Sequence, residues 1–216
     1  MNPLHLAQTR HASKAYDNSK KIPSDTLDRL LEVLRLTPSS INIQPWTFLV
    51  AQSDEAKQNI AKAMPEPFAY NVPKILNASE VIVFTAKTEI DEQHLDQILN
   101  HEELAGRFRT PESKQAQKNT RLNYVELYKS QQIIEPWVDN QIHIALGSAL
   151  ISASAEGVDA TPIGGFDNVL LDEVLGLSAL GLRSVVIMAL GYRSTEDFNA
   201  DLPKARLSKD AVIRFL

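Results

Sequence analysis

The 216-residue chain is 44% hydrophobic and 23% charged, with a formal net charge of -5 and no cysteine. That length suits one folded domain, expected over residues 1–216, with a core that needs no disulfide or structural metal. Lack of cysteine excludes thiolate catalysis, Cys-ligated zinc and iron–sulfur clusters, and an acidic chain without a sustained basic run is not expected to bind nucleic acid.

Met1–Arg10 has no apolar core, so a secretory signal is not expected, and a short helix is expected over Leu4–Thr9. Ser24 reads as the N-cap of the next helix, in which Leu27, Leu30, Leu31 and Leu34 recur at three- and four-residue spacing until Pro38 ends it. Trp46–Ala51 reads as a strand, and Ser53 as the cap of a helix with Asp54 and Glu55 in its first turn. A short helix at Val72–Ala78 precedes a buried strand at Val81–Ala86. Helices follow over Asp91–Ala105, Pro111–Lys129 and Pro136–Ala155. From Ile142 onward the last of these is apolar or small nearly all round, which predicts burial at the centre of a large subunit interface. A strand at Asp159–Ile163, a helix at Asn168–Leu175, a strand at Ser184–Leu190 and an extended tail at Ala211–Leu216 complete the chain. The longest apolar run, Val185–Leu190, is far short of the roughly 20 residues that span a bilayer, so the expectation is a cytoplasmic protein without a membrane segment. The elements sum to an α+β fold without regular βαβ alternation.

Familiar catalytic signatures are missing. No G-x-G-x-x-G follows a strand, so a nicotinamide would have to bind without a dinucleotide-binding fold. Gly176 and Gly181 have phosphate-loop spacing, but Leu182 and Arg183 stand where Lys and Ser/Thr are needed. His94 and His101 lack a third ligand, so no metal site is expected, and there is no G-x-S-x-G elbow.

Two segments carry chemistry. Arg10-His11-Ala12-Ser13-Lys14 places two fixed cations, an imidazole and a hydroxyl just after a short helix, a set suited to phosphate. Lys204–Arg206 forms a second basic cluster far away in the sequence; solvated loops are the plain alternative for both. Pro38-Ser39-Ser40-Ile41-Asn42-Ile43-Gln44-Pro45-Trp46 packs polar residues between two prolines, which is turn chemistry or a loop that hydrogen-bonds a planar ligand.

These segments together resemble the nitroreductase family. The resemblance runs over essentially the whole chain. It is carried further by Tyr70-Asn71-x-x-Lys74, Gly106-Arg107-Phe108-x-Thr110-Pro111, Pro162-Ile163-x-Gly165-Phe166-Asp167, Glu196–Ala200 and Leu202-Pro203-Lys204-x-Arg206. It implies a nitroreductase-like fold: a small mixed sheet surrounded by helices, in an intertwined homodimer with FMN at the subunit interface. By the same resemblance Arg10, His11, Ala12, Ser13, Lys14, Lys204 and Arg206 surround the phosphate, ribityl and flavin edge. Pro38, Ser39, Ser40 and Asn42 come from the other subunit. Asn71 and Lys74 face the pyrimidine edge, and Pro162, Ile163, Gly164 and Gly165 line the ring near N5. Substrate-facing candidates are Lys14, Phe68, Tyr70, Asn71, Lys74, Arg107 and Tyr124. No protein side chain is assigned as a catalytic acid or base.

The implied activity is FMN-dependent reduction of nitroaromatics, quinones or related planar acceptors by NADH or NADPH, in a ping-pong hydride transfer. Alternatives are a flavin reductase supplying free reduced FMN, a dihydropteridine reductase, or a flavin-binding module without turnover. Two departures from the family pattern stand out. Gly164 occupies a place where relatives often carry an acid, and Ala12 one where close relatives carry a hydroxyl residue that Ser13 would have to replace.

Overall fold

The computed structural model describes residues 2–216; Met1, the first residue of the N-terminal stretch read above, lies outside them. The chain opens with α1 (Pro3–Thr9), capped by the Asn2 side chain, and α2 (Ser24–Arg35). Ser24 proves to be the first helical residue of α2 and not its cap; Pro23 holds the capping position without a side-chain bond. Then come β1 (Trp46–Ala51), α3 (Asp54–Ala61), α4 (Val72–Asn77) and β2 (Glu80–Lys87). Ser53 caps α3 as expected, accepting from the Ala56 N–H. The long helical stretch comprises α5 (Glu92–Leu104), α6 (Pro111–Ser130) and α7 (Ile134–Ala155). Asp91 and Thr110 cap α5 and α6 with their side chains. Helix α7 begins before Pro136, whose missing N–H falls in the first turn, where it needs no intrahelical partner. The rest is β3 (Asp159–Ile163), α8 (Asn168–Val174), β4 (Leu182–Gly191) and a short α9 (Lys209–Val212) that overlaps the start of the expected extended tail.

The strands form one sheet in the order β1-β2-β4-β3, antiparallel at every pairing. A mixed sheet was expected. The parallel component amounts to one bridge, Ala12 with Ala160, because the Arg10–Lys14 segment runs beside β3 without becoming a strand.

Strand alternation sorts the core into two layers. Ile82, Phe84 and Ala86 of β2 and Val186, Met188 and Leu190 of β4 pack with Leu30 and Leu34 of α2, Leu95 of α5, Val125 of α6 and Ile142 and Ala149 of α7. Val81 and Val83, with Ile187 and Ala189, pack on the other face with Ile60 of α3, Ile75 of α4 and Leu171 of α8. Helices on both faces explain why β2 and β4 read as nearly continuous apolar runs. Helix α7 buries one side, through Val138, Ile142, Ala145 and Ala149, while Ile144, Gly147 and Ile151 on its other side are exposed. Among the described residues no helix is long and apolar enough to cross a membrane.

Candidate active site

The structure gathers one group of the expected residues around the edge strand β3. The segment Arg10–Lys14 is tied to the chain's C-terminal quarter by Asp197, whose carboxylate is fully buried. Asp197 accepts from the Lys14 N–H at 3.0 Å and pairs with His11 Nε2 at 3.2 Å. Asn199 Nδ2 donates to the Ala12 carbonyl at 2.8 Å. Beneath, the Thr161 hydroxyl donates to the Ser13 carbonyl at 2.5 Å, and the buried Tyr16 hydroxyl lies 2.9 Å from Thr161 Oγ1 and 3.0 Å from the Ala189 carbonyl. Burial pushes the Tyr16 phenol above its ordinary range, so it stays protonated and can donate.

This scaffold leaves cations facing a cleft of about 410 Å3 whose walls include Arg10, His11, Ala12, Lys204 and Arg206. The Lys204 ammonium donates to the Arg10 carbonyl at 2.5 Å. Burial and the nearby Arg206 charge lower the Arg10 guanidinium; burial, Arg10 and Arg206 lower Lys204. Arg10 Nη1 is buried with no hydrogen-bond partner. Three mutually repelling cations and an unpartnered guanidinium N–H form a site that an anion such as phosphate would satisfy. Ser13 is fully buried, so its hydroxyl does not face the cleft to replace the one Ala12 lacks.

Further along, Asn71 and Lys74 sit at the start of α4. Asn71 Nδ2 donates to the Gly165 carbonyl at 3.0 Å, and Lys74 Nζ donates to Asn71 Oδ1 at 2.7 Å. Lys74 Nζ also lies 4.8 Å from the centre of the Tyr70 ring. Burial and the Lys14 charge lower the Lys74 ammonium. Gly165 fits tightly: a Cβ there would meet Asn71 Nδ2 at 3.0 Å and Phe68 and the Tyr70 hydroxyl at 3.1 Å. Gly164 has open space where a side chain would start. Tyr70 is largely exposed.

The second group lies elsewhere. Ile41 and Ile43, within the Pro38–Trp46 loop, pack on the face of the sheet that carries α7, whereas Phe68 and Ile163 pack on the opposite face. The loop is strained. Ile41, Asn42 and Gln44 all have positive φ, at 48°, 56° and 43°. A β-branched residue in that region is an outlier, and such conformations cost on the order of 1–3 kcal/mol each. The loop is held from several sides. Ser40 N donates to Gln141 Oε1 at 2.8 Å, Gln44 N to Ser39 Oγ at 3.0 Å and Asn42 Nδ2 to Glu102 Oε1 at 2.9 Å. Arg121 Nε donates to the Ile41 carbonyl at 2.9 Å, and His94 Nε2 to the Ile43 carbonyl at 2.7 Å. Arg107 lies on this side too, 3.9 Å from Glu102, and Tyr124 belongs to the aromatic ladder of Tyr128 and Trp137. Among the described residues, no hydrogen bond or ion pair links a candidate of one group to a candidate of the other.

The candidate site residues were named from the sequence, but the buried anchors Asp197, Thr161, Gln141, Glu102 and Arg121 had no assigned role there. The only signal was for Asp197, inside the Glu196–Ala200 motif.

The fold and the motifs are shared with known proteins. The model of the nitroreductase family matches residues 7–192. The chain is 38% identical to the oxygen-insensitive NAD(P)H nitroreductase of Enterobacter cloacae, over 99% of both chains. It is 36% identical to the major NAD(P)H-flavin oxidoreductase of Aliivibrio fischeri, over 99% of this chain and 98% of that one. Among solved structures, a nitroreductase family protein from Streptococcus pneumoniae superposes with a TM-score of 0.84 at 22% identity, with full coverage of both chains. A protein from Exiguobacterium sibiricum solved in complex with FMN gives 0.81 at 22% identity, covering 100% and 98%. The family match and the full-length similarity agree: this chain belongs to the nitroreductase family.

Proposed function

We propose that the chain is an FMN-dependent NAD(P)H oxidoreductase that reduces nitroaromatics, quinones or related planar acceptors. The observation that carries the reading is the convergence of Arg10, Lys204 and Arg206 on one cleft, with the Arg10 Nη1 group buried and unpartnered. The 38% and 36% identical relatives, an NAD(P)H nitroreductase and an NAD(P)H-flavin oxidoreductase, support it.

The residues fit FMN. Arg10, Lys204 and Arg206 would hold its phosphate, with Lys14 and the neighbouring backbone toward the ribityl chain. Asn71 and Lys74 would meet the pyrimidine edge, and Pro162 to Gly165 the ring near N5. Bound FMN supplies a carrier that accepts hydride from the nicotinamide and passes it to the acceptor. The Lys14 and Lys74 ammoniums would stabilise the negative charge that reduction places on the ring, and their mutual repulsion would be relieved by it. Gly165 lets the backbone approach Asn71 closely, which holds the amide aimed by both its carbonyl and Lys74. Tyr70 and Phe68 would exclude water from one side and select flat molecules.

The loop carrying Pro38, Ser39, Ser40 and Asn42, with Arg107 and Tyr124, would complete the site from a second copy of the chain. The packing of Ile41 and Ile43 on the sheet face opposite Phe68 and Ile163 supports this, as do the exposed Ile144 and Ile151 of α7. The assembly is then a homodimer of single domains spanning 1–216, working in the cytoplasm, where a chain without cysteine has no need of an oxidising compartment.

Initial-rate kinetics with NADH and a quinone test the reading. Parallel double-reciprocal lines, from protein that keeps its flavin through gel filtration, are expected. Turnover only with added free FMN, released in reduced form, would replace this reading with the flavin-reductase alternative.

A further inference from the structure

We propose that Glu102 and Arg121 are positioning residues for the cofactor, a buried ion pair that locks Ile41 and Asn42 in the left-handed turn from which Ser39, Ser40 and Asn42 reach FMN. The inference rests on the FMN reading above and extends it to residues outside the binding set.

Both charges are withdrawn from water. Arg121, in the middle of α6, is fully buried, and Glu102, near the end of α5, is 5% exposed. Arg121 Nη2 donates to Glu102 Oε1 at 2.5 Å. The rest of their hydrogen bonding goes to the turn. Arg121 Nε donates to the carbonyl of Ile41, and Glu102 Oε1 accepts from the side chain of Asn42. Those two residues are adjacent and both have positive φ. Among the described residues, Glu102 Oε2 and Arg121 Nη1 are buried without a hydrogen-bond partner, so the side-chain hydrogen bonds the pair makes beyond itself go to the turn.

As a stabilising device this would be poor design. A buried ion pair seldom outperforms apolar residues of equal volume, because each charge loses its hydration. Its attested use is to specify one geometry, and here the geometry specified includes a left-handed isoleucine, which a β-branched residue does not hold by itself. The flanks of the loop are held by neutral groups, Gln141 on Ser40 and His94 on Ile43. Charge meets the adjacent pair Ile41 and Asn42, while Gln44, also at positive φ, is held through its N–H by Ser39 Oγ. The same Glu102 oxygen lies 3.9 Å from Arg107, so one carboxylate oxygen registers the loop against a candidate acceptor-facing residue.

The test uses the full chain in its FMN-binding state, with Glu102→Gln, Arg121→Lys and a control, Lys57→Met. Lys57 is equally buried in α3, where it donates to the Ala78 carbonyl, and has no part in the loop. Glu102→Gln and Arg121→Lys are expected to weaken FMN binding at least tenfold and to shift the bound flavin's visible spectrum. Lys57→Met is expected to lower the thermal midpoint at least as much while leaving FMN affinity and spectrum unchanged. Adding Ile41→Gly, which accepts the left-handed conformation freely, is expected to restore most of the affinity lost in either variant. Unchanged affinity in the folded variants, an equal loss in Lys57→Met, or no recovery with Ile41→Gly would overturn the positioning role while leaving the FMN reading intact. A wild-type chain that binds no FMN would defeat the FMN reading itself, and this inference with it. If Arg121→Lys does not fold, Glu102→Gln with and without Ile41→Gly decides alone.

Discussion

Two adjacent glycines of the loop after β3 differ in what they permit. Gly165 has Asn71, Phe68 and Tyr70 within 3.1 Å of where a Cβ would stand, and Asn71 is bonded to its carbonyl. Gly165→Ala is therefore expected to displace the Asn71 amide and weaken FMN binding roughly tenfold, the loss of about one hydrogen bond, measurable by flavin fluorescence. Gly164 has free space, so Gly164→Glu should keep FMN while shifting the flavin potential and acceptor preference, because it adds a negative charge beside the ring. An unchanged potential and acceptor profile would show that the charge at this place is immaterial. At this scale the sequence offered the basic segments Arg10–Lys14 and Lys204–Arg206 as phosphate candidates against a plain reading as solvated loops, and Asn71 and Lys74 were named through the family resemblance. It hid their anchors. Asp197 meets His11 across 186 positions of chain, and nothing local distinguishes a carboxylate that pairs with so distant a residue from one that faces water.

Elements were readable where one physical signal dominates. The strand Trp46–Ala51 follows from its aromatic and aliphatic content, and the helix expected over Pro111–Lys129 runs over Pro111–Ser130. Ends were harder: α7 starts at Ile134 because proline is tolerated in a first turn, and α9 overlaps the start of a tail that reads as extended. The connection between Arg10–Lys14 and β3 was not readable, because it is one bridge plus a chain of hydroxyls from Tyr16 through Thr161 to the Ser13 carbonyl. Thr161→Val keeps the shape and removes that relay, leaving buried polar groups unpaired. It is expected to destabilise the protein by about 1–3 kcal/mol in urea unfolding, with the FMN affinity falling as well. The loop after α2 carries a pH dependence. Burial lowers the His94 imidazole below its ordinary value of 6.5, outweighing the hydrogen bond to Ile43 that raises it. Because the folded state disfavours the proton, the stability this residue contributes is present above about pH 6.5 and is lost as the pH falls toward the depressed value. Wild type should lose stability below about pH 6.5 more steeply than His94→Gln, whose amide does not titrate. Parallel pH profiles would remove His94 from the loop's support.

For the whole molecule, the decisive fact is that Ile41 and Ile43 of the Pro38–Trp46 loop pack on one face of the sheet and Phe68 and Ile163 on the other. The apolar pattern of α7 pointed to an interface, and the structure leaves Ile144 and Ile151 exposed beside Gly147, with Leu207, Ile213, Phe215 and Leu216 exposed in the C-terminal segment. A second copy would cover these groups and bring the Pro38–Asn42 loop to the cations. Ile151→Lys is accordingly expected to shift the sedimentation profile to monomer and to lower FMN retention by tenfold or more; a monomeric wild type with full FMN would separate the two properties.

The most direct test is the absorbance spectrum of the purified protein, recorded before and after anaerobic NADH and again after a quinone or nitroaromatic is added. Flavin bands that bleach with NADH and return with the acceptor are the predicted result, and they would establish the hydride relay at this site. Protein that is colourless, takes up no added FMN and shows no bleaching would contradict it, and Arg10, Lys204 and Arg206 would then be a cluster of solvated cations.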